Sequence, residues 1–133
     1  MVKAKAPVRD VELSDVQLAV MRALWAEGPA TTATVYERVG KPRSLAYTTV
    51  ATLLTRLEKR RLARSHKQGR ERVFEALISE DRVTRSMVSG LIAKLFRGDP
   101  RALVSHLIQD AEIGDADLEE LRRVLAEAPT HDD

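Results

Sequence analysis

Residues Arg43 to Arg61 read RSLAYTTVATLLTRLEKRR, and this stretch decides the fold. Projected as a helix that starts near Ser44, which can cap it, the stretch has two unlike faces. Ala46, Val50, Leu53, Leu54 and Leu57 recur at helical spacing and form one apolar stripe for a core. Thr48, Thr52, Thr55 and Lys59 fall on the opposite face, with Thr49, Arg56 and Arg60 at its edge. Threonine is unusual in mid-helix because a β-branched side chain loses χ1 freedom there. An ordinary solvated face carries Glu, Lys and Gln instead. Short hydroxyls and methyls followed by cations suit a helix that lies close against another surface. The DNA major groove is such a surface: threonine can hydrogen-bond a base or phosphate, and its methyl can pack on a thymine methyl. A surface helix with a tolerated threonine-rich face is the plainer alternative.

The flanking sequence builds a small domain around this helix. Leu13 to Ala26 is predicted as a first helix. Ser14 is its N-cap, Gln17 completes a capping box, and Leu13 and Leu18 are spaced as a hydrophobic staple. Leu18, Met21, Leu24 and Trp25 form its expected buried face, so Trp25 is read as core, and Gly28-Pro29 stops it. Thr31 to Val39 is predicted as a short second helix capped by Thr31 or Thr32 and ended by Gly40-Lys41-Pro42. Two helices joined by a short polar turn have the layout of a helix-turn-helix. After the third helix, LARSH and RVFEAL read as two short strands around a turn at Gly69, with Val73, Phe74 and Leu77 as packing side chains. The tip of this hairpin, Lys67 to Arg70, is basic. Behind a recognition helix such a tip becomes a wing resting on the phosphate backbone; in isolation it is a solubilising loop.

Charge supports the first alternative. Residues 1–77 hold 15 lysines and arginines against 8 acids, a net of +7, whereas residues 78–133 hold 7 against 12, a net of −5. From Arg43 to Arg72 nine basic residues face only Glu58 and Glu71. A polyanion is attracted to the first half and repelled by the second.

The back half reads as three amphipathic helices. One runs from Ser79 to Phe96, the next starts at Asp99-Pro100 and ends near Gln109, and the last begins at Gly114-Asp115. Short amphipathic helices cannot build a good core among themselves, so a second copy of the chain is the expected partner. The alternative is that they fold back on the front domain. The residues expected to carry dimerisation are Met87, Leu91, Leu95, Leu103, Leu107, Leu118, Leu121 and Leu125.

Several function classes are excluded. The chain has no cysteine, hence neither disulfide nor thiolate metal site. His66, His106 and His131 lie far apart without ligand spacing, so no metal or other cofactor is expected. No glycine-rich phosphate loop or nucleophile elbow occurs, and acidic pairs such as Glu119-Glu120 fall on exposed helix faces, so no enzyme is expected. No apolar run approaches the roughly 18 residues of a membrane span, and no signal peptide opens the chain, so a cytoplasmic protein without membrane contact is expected.

The segment LAYTTVATLLTRLEKRRLA, with LSDVQLAVMRALWAEGPATTATVYERV before it and LFRGDPRALVSHLI and GDADLEELRRVL after it, resembles the penicillinase-repressor family of bacterial regulators (BlaI/MecI/CopY). The family pattern on the recognition helix stands here as Ala46-Tyr47-Thr48-Thr49-Val50, Thr52, Leu54, Arg56-Leu57 and Lys59-Arg60; the family's usual glycine is Arg61. The resemblance implies a mainly α fold with a small β-hairpin: a winged helix-turn-helix over residues 12–78 and a helical dimerisation region over 79–128, with tails at 1–11 and 129–133. It implies a homodimeric repressor on a palindromic double-stranded operator, controlling β-lactam or cell-envelope stress genes; metal or respiratory genes with another release signal, or a winged helix used for protein contacts, are the alternatives. Base reading falls to Thr48, Thr49 and Thr52. Thr32, Arg56, Lys59, Arg60, Lys67, Arg70 and Arg72 are expected at the DNA backbone. Penicillinase-type members are released by a regulatory protease that cuts an Asn-Phe bond, and His106-Leu107 stand at that place here. Copper-type members end in a cysteine metal motif, which this chain lacks.

Overall fold

A computed structural model describes residues 11–110 and 113–127. The elements in chain order are α1 (Asp15–Glu27), β1 (Ala30–Thr31), α2 (Thr32–Val35), α3 (Tyr47–Lys59), β2 (Ala63–Gln68), β3 (Glu71–Ala76), α4 (Glu80–Phe96), α5 (Pro100–Gln109) and α6 (Asp115–Glu127). The chain divides into two compact units between Gly90 and Leu91, within α4.

The first unit holds α1, α2, α3, the first part of α4 and a three-stranded antiparallel sheet in the order β1-β3-β2; the three helices and the sheet make a winged helix. The expected capping box starts α1: Ser14 Oγ accepts from the Gln17 N–H at 3.1 Å and Gln17 Oε1 accepts from the Ser14 N–H at 3.0 Å. Its buried face is rotated from the expected one. Val20, Met21 and Leu24 are buried while Leu18 and Trp25 only pack partly against the core, because Val20 and Leu24, one turn apart, form the centre of the stripe. Trp25 is anchored at its edge, Nε1 donating to the Ile78 carbonyl at 2.8 Å.

The connection from α2 to α3 differs from expectation. Thr31 caps α2, its Oγ1 accepting from the Thr34 N–H at 3.1 Å. Gly40 does not stop the helix: the chain passes through a π turn (Tyr36–Gly40) and a 3-10 turn (Lys41–Arg43) before α3. Gly40 keeps helical dihedrals, and its role is close approach. A Cβ there would lie 2.7 Å from Tyr36 Cδ1 and 2.9 Å from Val50 Cγ2. Pro42, whose fixed φ suits the 3-10 turn, continues it rather than ending it. Gly40→Ala is therefore expected to destabilise the unit by about 1–3 kcal/mol through overpacking, read as a lowered urea midpoint; an unchanged midpoint would show that α2 and α3 have room to separate.

Ser44 does not cap α3. It sits at φ 57, and Ala46, without a side-chain hydrogen bond, takes the N-cap place, so the helix starts at Tyr47. The inner stripe of α3 is Val50, Leu54 and Leu57, all fully buried, with Leu53 partly so; Ala46 is exposed and outside the helix. The hairpin strands run further than expected. Lys67 and Gln68 belong to β2 and Glu71 to β3, leaving Gly69 and Arg70 as a two-residue loop that Gly69 enters at φ 69. The third strand, β1, pairs Ala30 with Phe74 and Thr31 with Val73.

Val11, within the segment read as a tail, is buried. The Ser86 hydroxyl on α4 accepts from the Val11 N–H at 3.0 Å and donates to the Val11 carbonyl at 3.2 Å. With Val83 buried and Met87 packed partly on the core, the first turns of α4 belong to the first unit.

The second unit holds the end of α4, α5 and α6. Asp99 caps α5, its carboxylate accepting from the Arg101 N–H at 3.0 Å, with Pro100 as first residue. Among the described residues after Ser86 none is buried. Leu95 is 64% exposed and Leu125 72%.

Candidate nucleic-acid interface

The outward face of α3 is fixed by what its inner face does. Burying Val50, Leu54 and Leu57 leaves Thr48, Thr49, Thr52, Thr55, Arg56 and Lys59 exposed. Two shallow depressions run along this face. Thr48, Thr49, Thr52, Leu53 and Arg56 line one; Ala51, Thr52, Thr55, Arg56 and Lys59 line the other. The threonines are not equivalent. Thr55 Oγ1 donates to the Ala51 carbonyl at 3.0 Å, a local back-bond. The hydroxyls of Thr48, Thr49 and Thr52 make no hydrogen bond among the described residues, so their donor and acceptor capacity is open to an incoming group. Tyr47, at the first position of α3, is 47% exposed and packs its ring 5.4 Å from that of Tyr36, inclined at 58°.

The expected cations separate into two groups. Arg56, Lys59, Lys67 and Arg70 are exposed and form no ion pair among the described residues. Arg60 and Arg72 are tied into the protein. Arg60 Nη2 donates to the Glu12 carbonyl at 3.1 Å, and Arg72 Nη1 donates to Ser65 Oγ at 2.8 Å. Ser65 Oγ in turn donates to Glu58 Oε2 at 2.8 Å. This Arg72–Ser65–Glu58 relay connects both wing strands to the last turn of α3. Sequence reading misses it because its partners, seven residues apart, are brought together only by the turns after α3 and in the hairpin, and none belongs to a motif. Glu58 is thus engaged rather than a free opposing charge. Across the hairpin Arg64 pairs with Glu75 at 2.8 Å, an exposed pair that contributes little. Thr32, the first residue of α2, is half-buried.

The end of α3 is a Schellman turn. The Leu62 N–H donates to the Leu57 carbonyl at 3.0 Å and the Arg61 N–H to the Glu58 carbonyl at 2.9 Å, while Leu57 and Leu62 are both buried. Arg61 holds φ 65, a left-handed conformation that costs a non-glycine residue about 1–2 kcal/mol. The other positions singled out lie elsewhere: His66 on β2 and His106 and Leu107 inside α5, while His131 lies outside the described residues.

A helix-turn-helix whose third helix presents free hydroxyls outward, followed by a wing with free cations at its tip, defines the winged-helix DNA-binding class. The penicillinase repressor family model matches residues 13–127, and the chain belongs to that family, which consists of transcriptional repressors and not of enzymes. A transcriptional regulator BlaI of Mycobacterium tuberculosis is 34% identical over 117 residues, 86% of this chain and 83% of that protein. A penicillinase repressor of Staphylococcus aureus is 26% identical over 117 residues, 88% of this chain and 93% of that protein. The solution structure of the Bacillus licheniformis BlaI monomeric form in complex with the blaP half-operator is 30% identical, spans 55% of this chain and 89% of that one, and has a TM-score of 0.48. Among the described residues no helix is long and apolar enough to cross a membrane.

Proposed function

We propose that the chain is a cytoplasmic, homodimeric transcriptional repressor that occupies a palindromic operator, with α3 in the major groove and the hairpin on the flanking backbone. The observation that carries this is the outward face of α3: three threonine hydroxyls without a hydrogen-bond partner among the described residues, set on a helix whose other face is locked into the core. Thr48, Thr49 and Thr52 read bases. Arg56, Lys59, Lys67 and Arg70 hold phosphates, with Thr32 as a lesser contact at the start of α2. Arg60 and Arg72 each spend one nitrogen inside the protein and add charge to the same surface while positioning the segment before α1 and the wing.

Dimerisation is supported by the second unit, which keeps no buried residue after Ser86 and exposes Leu91, Leu95, Val104, Ile108, Leu121, Val124 and Leu125. A second copy covers such helices at low cost and supplies the second half-site reader. Of the residues expected at the interface, Leu91, Leu95, Leu121 and Leu125 are exposed, Leu103, Leu107 and Leu118 are partly buried, and Met87 packs partly on the core of the first unit. Relatives named as a penicillinase repressor and a methicillin resistance regulatory protein support β-lactam resistance genes as targets. Release by a protease at His106-Leu107 requires the last turns of α5 to open, since His106 Nε2 lies 3.0 Å from Asp110 Oδ2 and its ring rests against Phe96.

The test is a pair of variants on duplexes enriched from a random pool by the wild-type protein. Arg56→Ala should weaken binding to the enriched and to random DNA alike. Thr49→Ala should lose about 1–3 kcal/mol of discrimination between them. Equal losses on both duplexes for Thr49→Ala would remove it from base reading. Failure of the pool to enrich any shared sequence would turn the face of α3 into a general basic surface.

A further inference from the structure

We propose that Arg61 is an additional phosphate-binding residue at the junction of α3 and the wing, and that the chain tolerates a strained backbone there in order to carry it; this rests on the DNA-binding function proposed above. The conformation is the first observation. Arg61 follows the cap of α3 at φ 65, where glycine is the ordinary occupant because it has no Cβ to clash. The turn does not need a side chain: both bonds that close it run between backbone atoms.

The second observation is that no described residue engages the side chain. The Arg61 side chain is exposed and makes no hydrogen bond or ion pair among the described residues. Its nearest acid in sequence, Glu58, is taken by Ser65. The carbonyl end of α3 already has Arg56 and Lys59 in its last turn to complement the helix dipole, so a third cation adds little for that purpose. Its neighbour Arg60 is turned to the Glu12 carbonyl.

Position is the third observation. Arg61 and Leu62 alone separate the cap of α3 from β2, so Arg61 lies between the cations of the helix (Arg56, Lys59) and those of the hairpin (Lys67, Arg70). A guanidinium without a partner among the described residues, placed between two elements proposed to contact the DNA backbone, suits a phosphodiester oxygen and has no base to read. Its contribution is therefore affinity without sequence preference, and a lower tolerance of salt.

The variants Arg61→Gly and Arg61→Lys test this, on the full chain, with one enriched and one random duplex between 50 and 200 mM salt. Arg61→Gly should melt at a higher temperature than the wild type yet bind both duplexes about tenfold more weakly at the low-salt end. Its plot of log affinity against log salt should be shallower by about 0.9, the loss of one phosphate contact. Arg61→Lys should keep the wild-type slope and the wild-type melting temperature. An unchanged slope and affinity for Arg61→Gly would overturn the contact, and a melting temperature no higher than wild type would overturn the strain. A wild-type protein without salt-dependent DNA binding would overturn the underlying function, a result distinguishable from either.

Discussion

Leu54→Ala is expected to destabilise the first unit by about 2–5 kcal/mol, a large part of the 5–15 kcal/mol typical of a small domain. Leu54 is fully buried between Val50 and Leu57 on the inner face of α3, and it packs in the cluster that includes Met21, Leu24 and Val35. Truncation leaves a cavity that the surrounding helices fill only in part. Thr52→Ala, two positions earlier and on the opposite face, should stay within about 0.5 kcal/mol, because its side chain touches solvent and makes no hydrogen bond among the described residues. Urea unfolding of the two variants separates the faces. A Thr52→Ala cost comparable to that of Leu54→Ala would mean that the threonine face holds the fold rather than a ligand.

Leu121→Asp is expected to abolish the proposed dimer. Leu121 is 42% exposed on α6, on the side that also carries Leu118, Val124 and Leu125. A carboxylate buried there against a second apolar surface costs several kcal/mol. About 4 kcal/mol corresponds to roughly a thousandfold weaker association. Sedimentation velocity at micromolar concentration should show a monomer, while the first unit melts as before. Binding to a palindromic duplex should fall to the level of a single half-site. An unchanged dimer would move the interface to another part of the second unit.

The inner stripe of α3 was legible because helical periodicity and core burial are the same physical fact: Val50, Leu54 and Leu57 are both the spaced apolar residues and the buried ones. The capping box at Ser14 and Gln17, the turn at Gly69 and the Asp99-Pro100 start of α5 are local chemistry, and the chain shows them as read. What escaped was set by packing between elements. Gly40-Lys41-Pro42 carries the residues of a helix stop, yet Tyr36 and Val50 close in on Gly40 and keep the chain coiled through two further turns. The strand Ala30–Thr31 is too short for any alternation and exists only because β3 lies beside it. Nothing near Val11 in sequence signals burial, because its anchor, Ser86, lies 75 residues away. In the candidate site the free threonines and wing cations were legible from type and spacing. The engagement of Arg60 and Arg72 was not, since a cation's partner is decided by the fold.

The most direct test of the central claim is a map of the chromosomal DNA bound by the protein in its own cells, with the bound sequences searched for shared symmetry. A repressor reading bases through Thr48, Thr49 and Thr52 on two copies of α3 predicts one palindrome, concentrated in a few promoters. Enrichment scattered without a shared sequence, or none at all, would contradict it and leave the basic face of the first unit to another acidic partner.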